Sequence, residues 1–317
     1  MSLDEAANTI FDVCLDVKPD EEVLILDDGN DKDIIEALRK GVEERARLNY
    51  VNYPEPEVQG AEPPKYVAEA LNECDVFVAP TNKSISHTRA RSEATKAGVR
   101  GASMPKLTKE VMKTSVQADY QRVREISDKA QSVLKDSSEI RIRTPSGTNL
   151  TLDVEKEKVH KLDGILTEPG DFGNIPSGEI FGPGINARGK LVIDELAMAP
   201  EASGTEVMIE KNTVVDVKSD NSNKLVKKLE EIEGAKNIAE FGFGTNPEAE
   251  IIGNNTNDEK ILGTVHIAFG DNEFFLPDGD DRIVESEIHW DSVCVKPTVY
   301  FDDRKMLDKG KPVFLED

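Results

Sequence analysis

The sequence predicts an α/β N-terminal domain built on a mostly parallel sheet, followed by a strand-rich α+β C-terminal domain. Three observations carry this. In roughly the first 110 residues, short apolar runs alternate with segments of helical period, the spacing of parallel α/β sheets. Beyond that region the pattern changes to alternating or continuous apolar strand runs. The length, 317 residues, suits two domains that can each bury a core. The boundary falls near Ser137, giving an N-terminal domain over 1–136 and a C-terminal domain over 137–317.

The elements follow in order. Residues 3–17 place Leu3, Ala6, Ile10, Val13 and Cys14 near helical period, and Pro19 stops the helix. Residues 22–26 are a short apolar strand run closed by the turn at 27–31. Ile34, Ile35, Leu38 and Val42 form one stripe of a helix over 34–47. A strand at 49–53 precedes a helix at 64–73, whose early Pro64 sits where a missing N–H is tolerated. A strand at 75–79, a helix at 88–97 ended by Gly98 and an extended stretch at 99–104 complete the wound sheet. Residues 110–134 read as one long charged helix. Residues 140–144 and 150–154 alternate around the turn Pro145-Ser146-Gly147-Thr148-Asn149, a hairpin pattern. Strands follow at 190–196, 206–209, 214–218, 238–243, 263–269, 288–295 and 298–301, interrupted by a helix over 223–233 with Leu225, Leu229 and Ile232 aligned.

The formal net charge of −23 opposes binding to nucleic acid and to anionic membranes. It serves solubility, or hydration in a salt-rich cytoplasm. No apolar run is long enough to span a bilayer. The opening Met1-Ser2-Leu3-Asp4-Glu5 lacks the basic region and apolar core of a secretory signal. Cys14, Cys74 and Cys294 form no Cys-x-x-Cys pair, so reduced thiols in a cytoplasm are expected.

Two glycine patterns fall short of a dinucleotide site. Gly29 follows a strand without G-x-G-x-x-G, and after Gly242-Phe243-Gly244 the third glycine position holds Pro247. The chemistry concentrates elsewhere. His266 lies in the apolar run Val265-His266-Ile267-Ala268-Phe269. His289 and Asp291 are two apart, so on a strand they share a face. Two imidazoles and a carboxylate are the minimum for a divalent metal with open positions; the plainer alternative is two half-buried histidines, one paired with Asp291. The Gly/Pro-rich stretch 170–184 reads as a shaped loop presenting Glu179, either as a ligand or base in a dry site or as a helix-start acid beside a Ser177 cap. Glu240 ends an apolar strand and needs a partner, either a metal or a cation such as Arg188. Glu248 and Glu250 read as solvated. The segment 84–91, with His87, lies at a βα turn where ligands dock, or else only caps a helix through Ser86 or Thr88. His160, isolated among charges, is given no role.

Together Asn174-Ile175-Pro176-Ser177-Gly178-Glu179-Ile180-Phe181, Ala239-Glu240-Phe241-Gly242, His266-Ile267-Ala268-Phe269-Gly270 and Ile288-His289-Trp290-Asp291 resemble the aminopeptidase T / aminopeptidase S family of metallo-aminopeptidases. Ser86-His87-Thr88 and Gly98 also look like that family's N-terminal domain, and order and spacing agree over nearly the whole chain. The resemblance implies a C-terminal catalytic domain, a homodimer and a metal site of Glu179, Glu240, His266, His289 and Asp291. Such a site would hold divalent ions, two of zinc, cobalt or manganese. They would activate a water against a peptide substrate, with Glu179 or Glu240 as the catalytic base. One departure stands out: the family's tyrosine after the first histidine is missing, since Gly270 is followed by Asp271-Asn272-Glu273-Phe274-Phe275. The fold also looks like that of dihydroxypyridine dioxygenases, which hold one iron; His266, His289 and Asp291 would then be a facial triad. A third alternative is a degenerate member kept for binding or assembly. All three make the geometry decisive. The five side chains should converge in one cleft, and crowding should raise the pKa of at least one carboxyl.

Overall fold

The computed structural model describes residues 2–219, 224–277 and 279–316. The chain divides into two compact units, Met1–Arg124 with Leu162–Ser177, and Glu125–Lys161 with Gly178–Asp317. The boundary expected from the sequence lies between 136 and 137. The units divide between Arg124 and Glu125, and residues 162–177 return to the first unit.

The first unit is organised by strands β1 (Glu22–Asp27), β2 (Arg47–Asn52), β3 (Val76–Ala79) and β4 (Arg100–Ser103). The second contributes β5 (Glu139–Arg143), β6 (Asn149–Asp153) and the short β7 (His160–Leu162) before the chain returns to the first sheet as β8 (Phe172–Asn174). Then follow β9 (Glu179–Pro183), β10 (Ile185–Val192), β11 (Glu206–Glu210), β12 (Thr213–Lys218), β13 (Ile238–Gly244), β14 (Val265–Gly270), β15 (His289–Cys294), β16 (Thr298–Phe301) and β17 (Arg304–Leu307).

The first sheet has the order β2-β1-β3-β4-β8, and every pair in it is parallel. Its strands β3 and β4 are buried throughout, as a parallel sheet covered by helices requires. The helices form where the periodicity put them: Lys32–Glu43 is capped by the Asp31 carboxylate, and Arg89–Lys96 by the Thr88 hydroxyl on the Arg91 N–H. The capping alternative for the 84–91 segment is therefore realised. Arg47 begins β2 rather than ending the preceding helix.

The long helix expected at 110–134 is broken. Lys109–Lys113 ends at Thr114, Ala118 is extended, and Tyr120–Asp136 begins afresh where the Asp119 carboxylate accepts the N–H groups of Gln121 and Arg122. No glycine or proline marks this break; a capping aspartate does. The stretch 170–184, expected as loop, holds two strands, β8 and β9. The helix expected at 223–233 spans Lys224–Glu231, and Asn223 lies outside the described residues.

The second unit stacks a seven-stranded sheet, β12-β11-β10-β6-β5-β16-β17, and a five-stranded one, β15-β14-β13-β9-β7. The β5–β6 hairpin pairs as its alternation predicts. Ile142, Leu150, Leu152, Leu191, Val207 and Val299 from the larger sheet share one core with Ile180, Phe241, Phe243, Ile267, Phe269 and Trp290 from the smaller. All three cysteines are free and buried. Among the described residues no helix is long and apolar enough to cross a membrane.

Candidate metal centre

The smaller sheet of the second unit explains how residues far apart in the chain meet. Directly opposed residues of an antiparallel pair point to the same face. Gly244 opposes Glu179, and Gly242 opposes both Phe181 and His266. Glu240 opposes Ala268, Ala268 opposes Asp291, and Gly270 opposes His289. Glu179, Glu240, His266, His289 and Asp291 therefore project from one face of four consecutive strands. The alternate residues, Ile180, Phe241, Ile267 and Trp290, face the apolar core. Glycine and alanine at 242, 244, 268 and 270 leave room between the functional side chains.

Two glycines are required by close approach. A Cβ on Gly242 would overlap the His266 ring, and Gly178, at φ +127°, packs against the Asn246 backbone nitrogen, 2.9 Å from the Cβ position. The second contact seats the start of β9, so Glu179 opens a strand rather than the helix that a Ser177 cap would have begun.

The five side chains converge. Glu240 Oε1 lies 3.4 Å from His266 Nε2, and Glu240 Oε2 lies 3.0 Å from His289 Nε2. His289 Nε2 is 3.6 Å from Asp291 Oδ1, and Glu179 Oε2 is 3.6 Å from His266 Nε2. Glu240, His266 and Asp291 each offer a ligand atom, and the three atoms lie within 4.8 Å of one another, close enough to hold one metal ion. All but His289 are buried; its side chain is 34% exposed and forms the open edge of the site. The Nδ1–H of His289 donates to the Asp271 carbonyl at 2.8 Å, which leaves Nε2 to face the acids. Arg188, the cation considered as a partner for Glu240, instead pairs with Asp153 and Glu139.

Charge in the cluster is strongly coupled. Burial opposes the charged form of Asp291, but the facing His289 imidazole outweighs it and holds the carboxyl well below the usual range. Burial likewise works against Glu240, and hydrogen bonds from His266 and His289 leave it lowered. Burial disfavours a charged His266, yet Glu240, Glu179 and Asp291 push it up to about 9. Burial also disfavours a charged His289, which Asp291 and Glu240 raise well above the ordinary histidine value. The raised carboxyl expected from crowding is not found on Glu240 or Asp291, because the imidazoles share their charge. The carboxyl that is raised, Glu259, lies outside the five, and burial more than crowding pushes it up to about 8.

The donor set suits a cation. Oε2 of Glu179 is buried and accepts no hydrogen bond, and Nδ1 of His266 is likewise buried without one.

Three neighbours escaped sequence reading. Lys260, fully buried, places Nζ 2.6 Å from both Glu179 Oε1 and Glu259 Oε1. Asn255 donates to Asp291 Oδ2 at 2.7 Å. Both lie in a polar run, 253–260, that looks like solvated loop. The third is His160, whose ring is 5.5 Å from that of Phe181. It joins an aromatic wall that continues from Phe181 to Phe275 at 6.0 Å and from Phe275 to His289 at 6.2 Å, with Phe274 against Phe275 at 5.4 Å. Glu248 and Glu250 are exposed.

The sequence model of the family described as NicX, 2,5-dihydroxypyridine 5,6-dioxygenase, matches residues 3–314. The chain belongs to this dioxygenase family. A structure of 2,5-dihydroxypyridine dioxygenase from Pseudomonas putida KT2440 is similar at a TM-score of 0.79 and 17% identity, covering 98% of this chain and 96% of that one. Wild-type AmpT from Thermus thermophilus is similar at a TM-score of 0.68 and 15% identity, covering 98% of each chain. No curated protein matches the sequence. The two-domain α/β fold is thus shared with both structures. The sequence resemblance put the aminopeptidases first; the match over nearly the whole chain puts it among the dihydroxypyridine dioxygenases, an enzyme family, while AmpT shares its fold.

Proposed function

We propose that the protein is a ring-cleaving dioxygenase that uses one ferrous ion to open a hydroxylated nitrogen heteroaromatic ring. The observation that carries this is the set His266, His289 and Asp291 on one sheet face, two imidazoles and a carboxylate with an open side at His289. Membership of the dioxygenase family supports the substrate class.

His266, His289 and Asp291 would hold the ion, with Glu240 between the two imidazoles as a further oxygen donor. Bound iron would supply the electron transfer that dioxygen needs before it reacts with an aromatic ring. The chain supplies the rest. Phe181 and Phe275 present apolar faces beside the site, suited to packing against a flat ring. Oε2 of Glu179, which accepts no hydrogen bond, can accept a proton from a ring hydroxyl. Burial of Glu179, Glu240, His266 and Asp291 keeps bulk water from the reacting atoms.

A two-metal aminopeptidase is the second reading. What favours it is Glu179, a fifth potential ligand on the same face. Against it, residues 271–275 hold phenylalanines and no tyrosine, so no phenol is available there to steady an oxyanion. One experiment separates the two: the protein, loaded in parallel with Fe(II) and with Zn(II), is given 2,5-dihydroxypyridine and aminoacyl substrates. Oxygen uptake with iron alone supports the first reading. Release of amino acids with zinc, without oxygen uptake, overturns it.

A further inference from the structure

Lys260 is the cation this site builds for itself. A lysine is among the residues least often fully buried, and here it is buried with its ammonium held between Glu179 and Glu259. Its backbone is fixed as well: its carbonyl accepts the Asn246 N–H at 2.8 Å and its N–H donates to the Asn257 carbonyl at 3.1 Å. The turn that carries it is closed by Asp258, which accepts the N–H groups of Ile252 at 3.0 Å and Gly253 at 2.9 Å. The ammonium is therefore positioned, not merely tolerated.

Its position separates the acids by their nearest cation, with Glu179 reaching both sides: Oε1 meets Lys260 and Oε2 lies 3.6 Å from His266 Nε2. Glu240 and Asp291 meet the imidazoles of His266 and His289. Glu179 meets Lys260 through Oε1, and Glu259 meets Lys260 too. The acids on the Lys260 ammonium, the buried Glu179 and the partly buried Glu259, are the kind of carboxylate pair that would bridge to or hold another divalent ion in a two-metal site. We infer that Lys260 takes the place of that second ion and limits the centre to one metal. A positive charge fixed to the backbone satisfies Glu179 and Glu259 and repels a divalent cation from the position between them.

The inference rests on reading the cluster as a metal centre, and the test separates the two. Wild-type protein stripped of metal is equilibrated with excess Zn(II), dialysed and counted by plasma mass spectrometry. It is compared with Lys260→Gln, Lys260→Ala and, keeping the charge, Lys260→Arg. Thermal melts are recorded for each with and without excess Zn(II). Wild type and Lys260→Arg should carry one ion per chain. Lys260→Gln and Lys260→Ala should carry two, or, if unstable without metal, should be selectively stabilised by it. Two ions on the wild type would overturn the inference, as would neutral variants that neither gain an ion nor are stabilised by metal. No ion on the wild type would remove the metal-centre reading itself.

Discussion

The ring of His266 occupies the space a side chain at position 242 would need: a Cβ on Gly242 would lie 1.9 Å from His266 Nε2. The two residues face each other across β13 and β14, and the imidazole lies over the Gly242 position of the neighbouring strand. Gly242→Ala is therefore expected to push the ring away from Glu240. The measurement is metal retained after dialysis. A fall in affinity of about 10–100-fold is expected, the size seen when support of a ligand is lost. Unchanged retention would mean that the ring does not bind the ion in this orientation.

His289 stands at the open edge and contributes little core volume. His289→Ala should cost less than about 1 kcal/mol of stability. It should reduce metal affinity by at least about 100-fold and remove turnover. Calorimetric titration with metal and a urea melt on the same sample separate the two effects.

Asn255 supports Asp291 from outside the cluster. Asn255→Ala frees one carboxylate oxygen to turn, and should weaken metal binding by about 10-fold while leaving the number of ions unchanged. An effect as large as that of His289→Ala would make Asn255 a ligand in its own right.

Phe181 and Phe275 are expected to set ring affinity. Phe275→Ala should raise KM for a dihydroxylated ring several-fold, by about the 0.5–1.5 kcal/mol of one aromatic contact, with a smaller change in kcat. Steady-state oxygen uptake against substrate concentration reads both constants. A fall in kcat at unchanged KM would place Phe275 outside the ring's contacts.

The first unit offers a pH-dependent test away from the metal. Burial opposes a charged Glu21, but hydrogen bonds from Arg100 and the Lys18 backbone leave its carboxyl lowered. A carboxyl lowered by folding adds stability above its unfolded value, and that stability is lost as pH falls through the folded value. Arg100 is buried, so Glu21→Gln should destabilise by about 3 kcal/mol at neutral pH. The difference from wild type should shrink on acidification below the ordinary glutamate range. Urea melts at neutral and acid pH give both numbers; a pH-independent difference would contradict the ion-pair account.

Much of this was legible in the sequence, for reasons that particular residues make clear. Apolar runs such as Val76–Ala79 announce buried strands, and the two-residue spacing of His289 and Asp291 announces a shared face. The break at Asp119 was hidden because a capping aspartate resembles any other charge in a charged helix. β8 and β9 were hidden because glycine and proline crowd a segment whose pairing is decided by partners distant in the chain, Gly101 with Phe172 and Gly244 with Glu179. Lys260 was the largest omission. A lysine in the run Asn257-Asp258-Glu259-Lys260 looks solvated, and only the packing of that turn over the sheet face buries it.

Oxygenation of a ring draws on dioxygen and hydrolysis draws on water, so the source of the oxygen in the product separates the two. The Fe(II)-loaded protein is given 2,5-dihydroxypyridine under labelled dioxygen in ordinary water, and in a second run under ordinary dioxygen in labelled water. Mass spectrometry then reads the ring-opened product. Both atoms of the labelled dioxygen are expected in the product. A turned-over substrate labelled only from water, or no ring opening while aminoacyl substrates are cleaved, would contradict oxygenation.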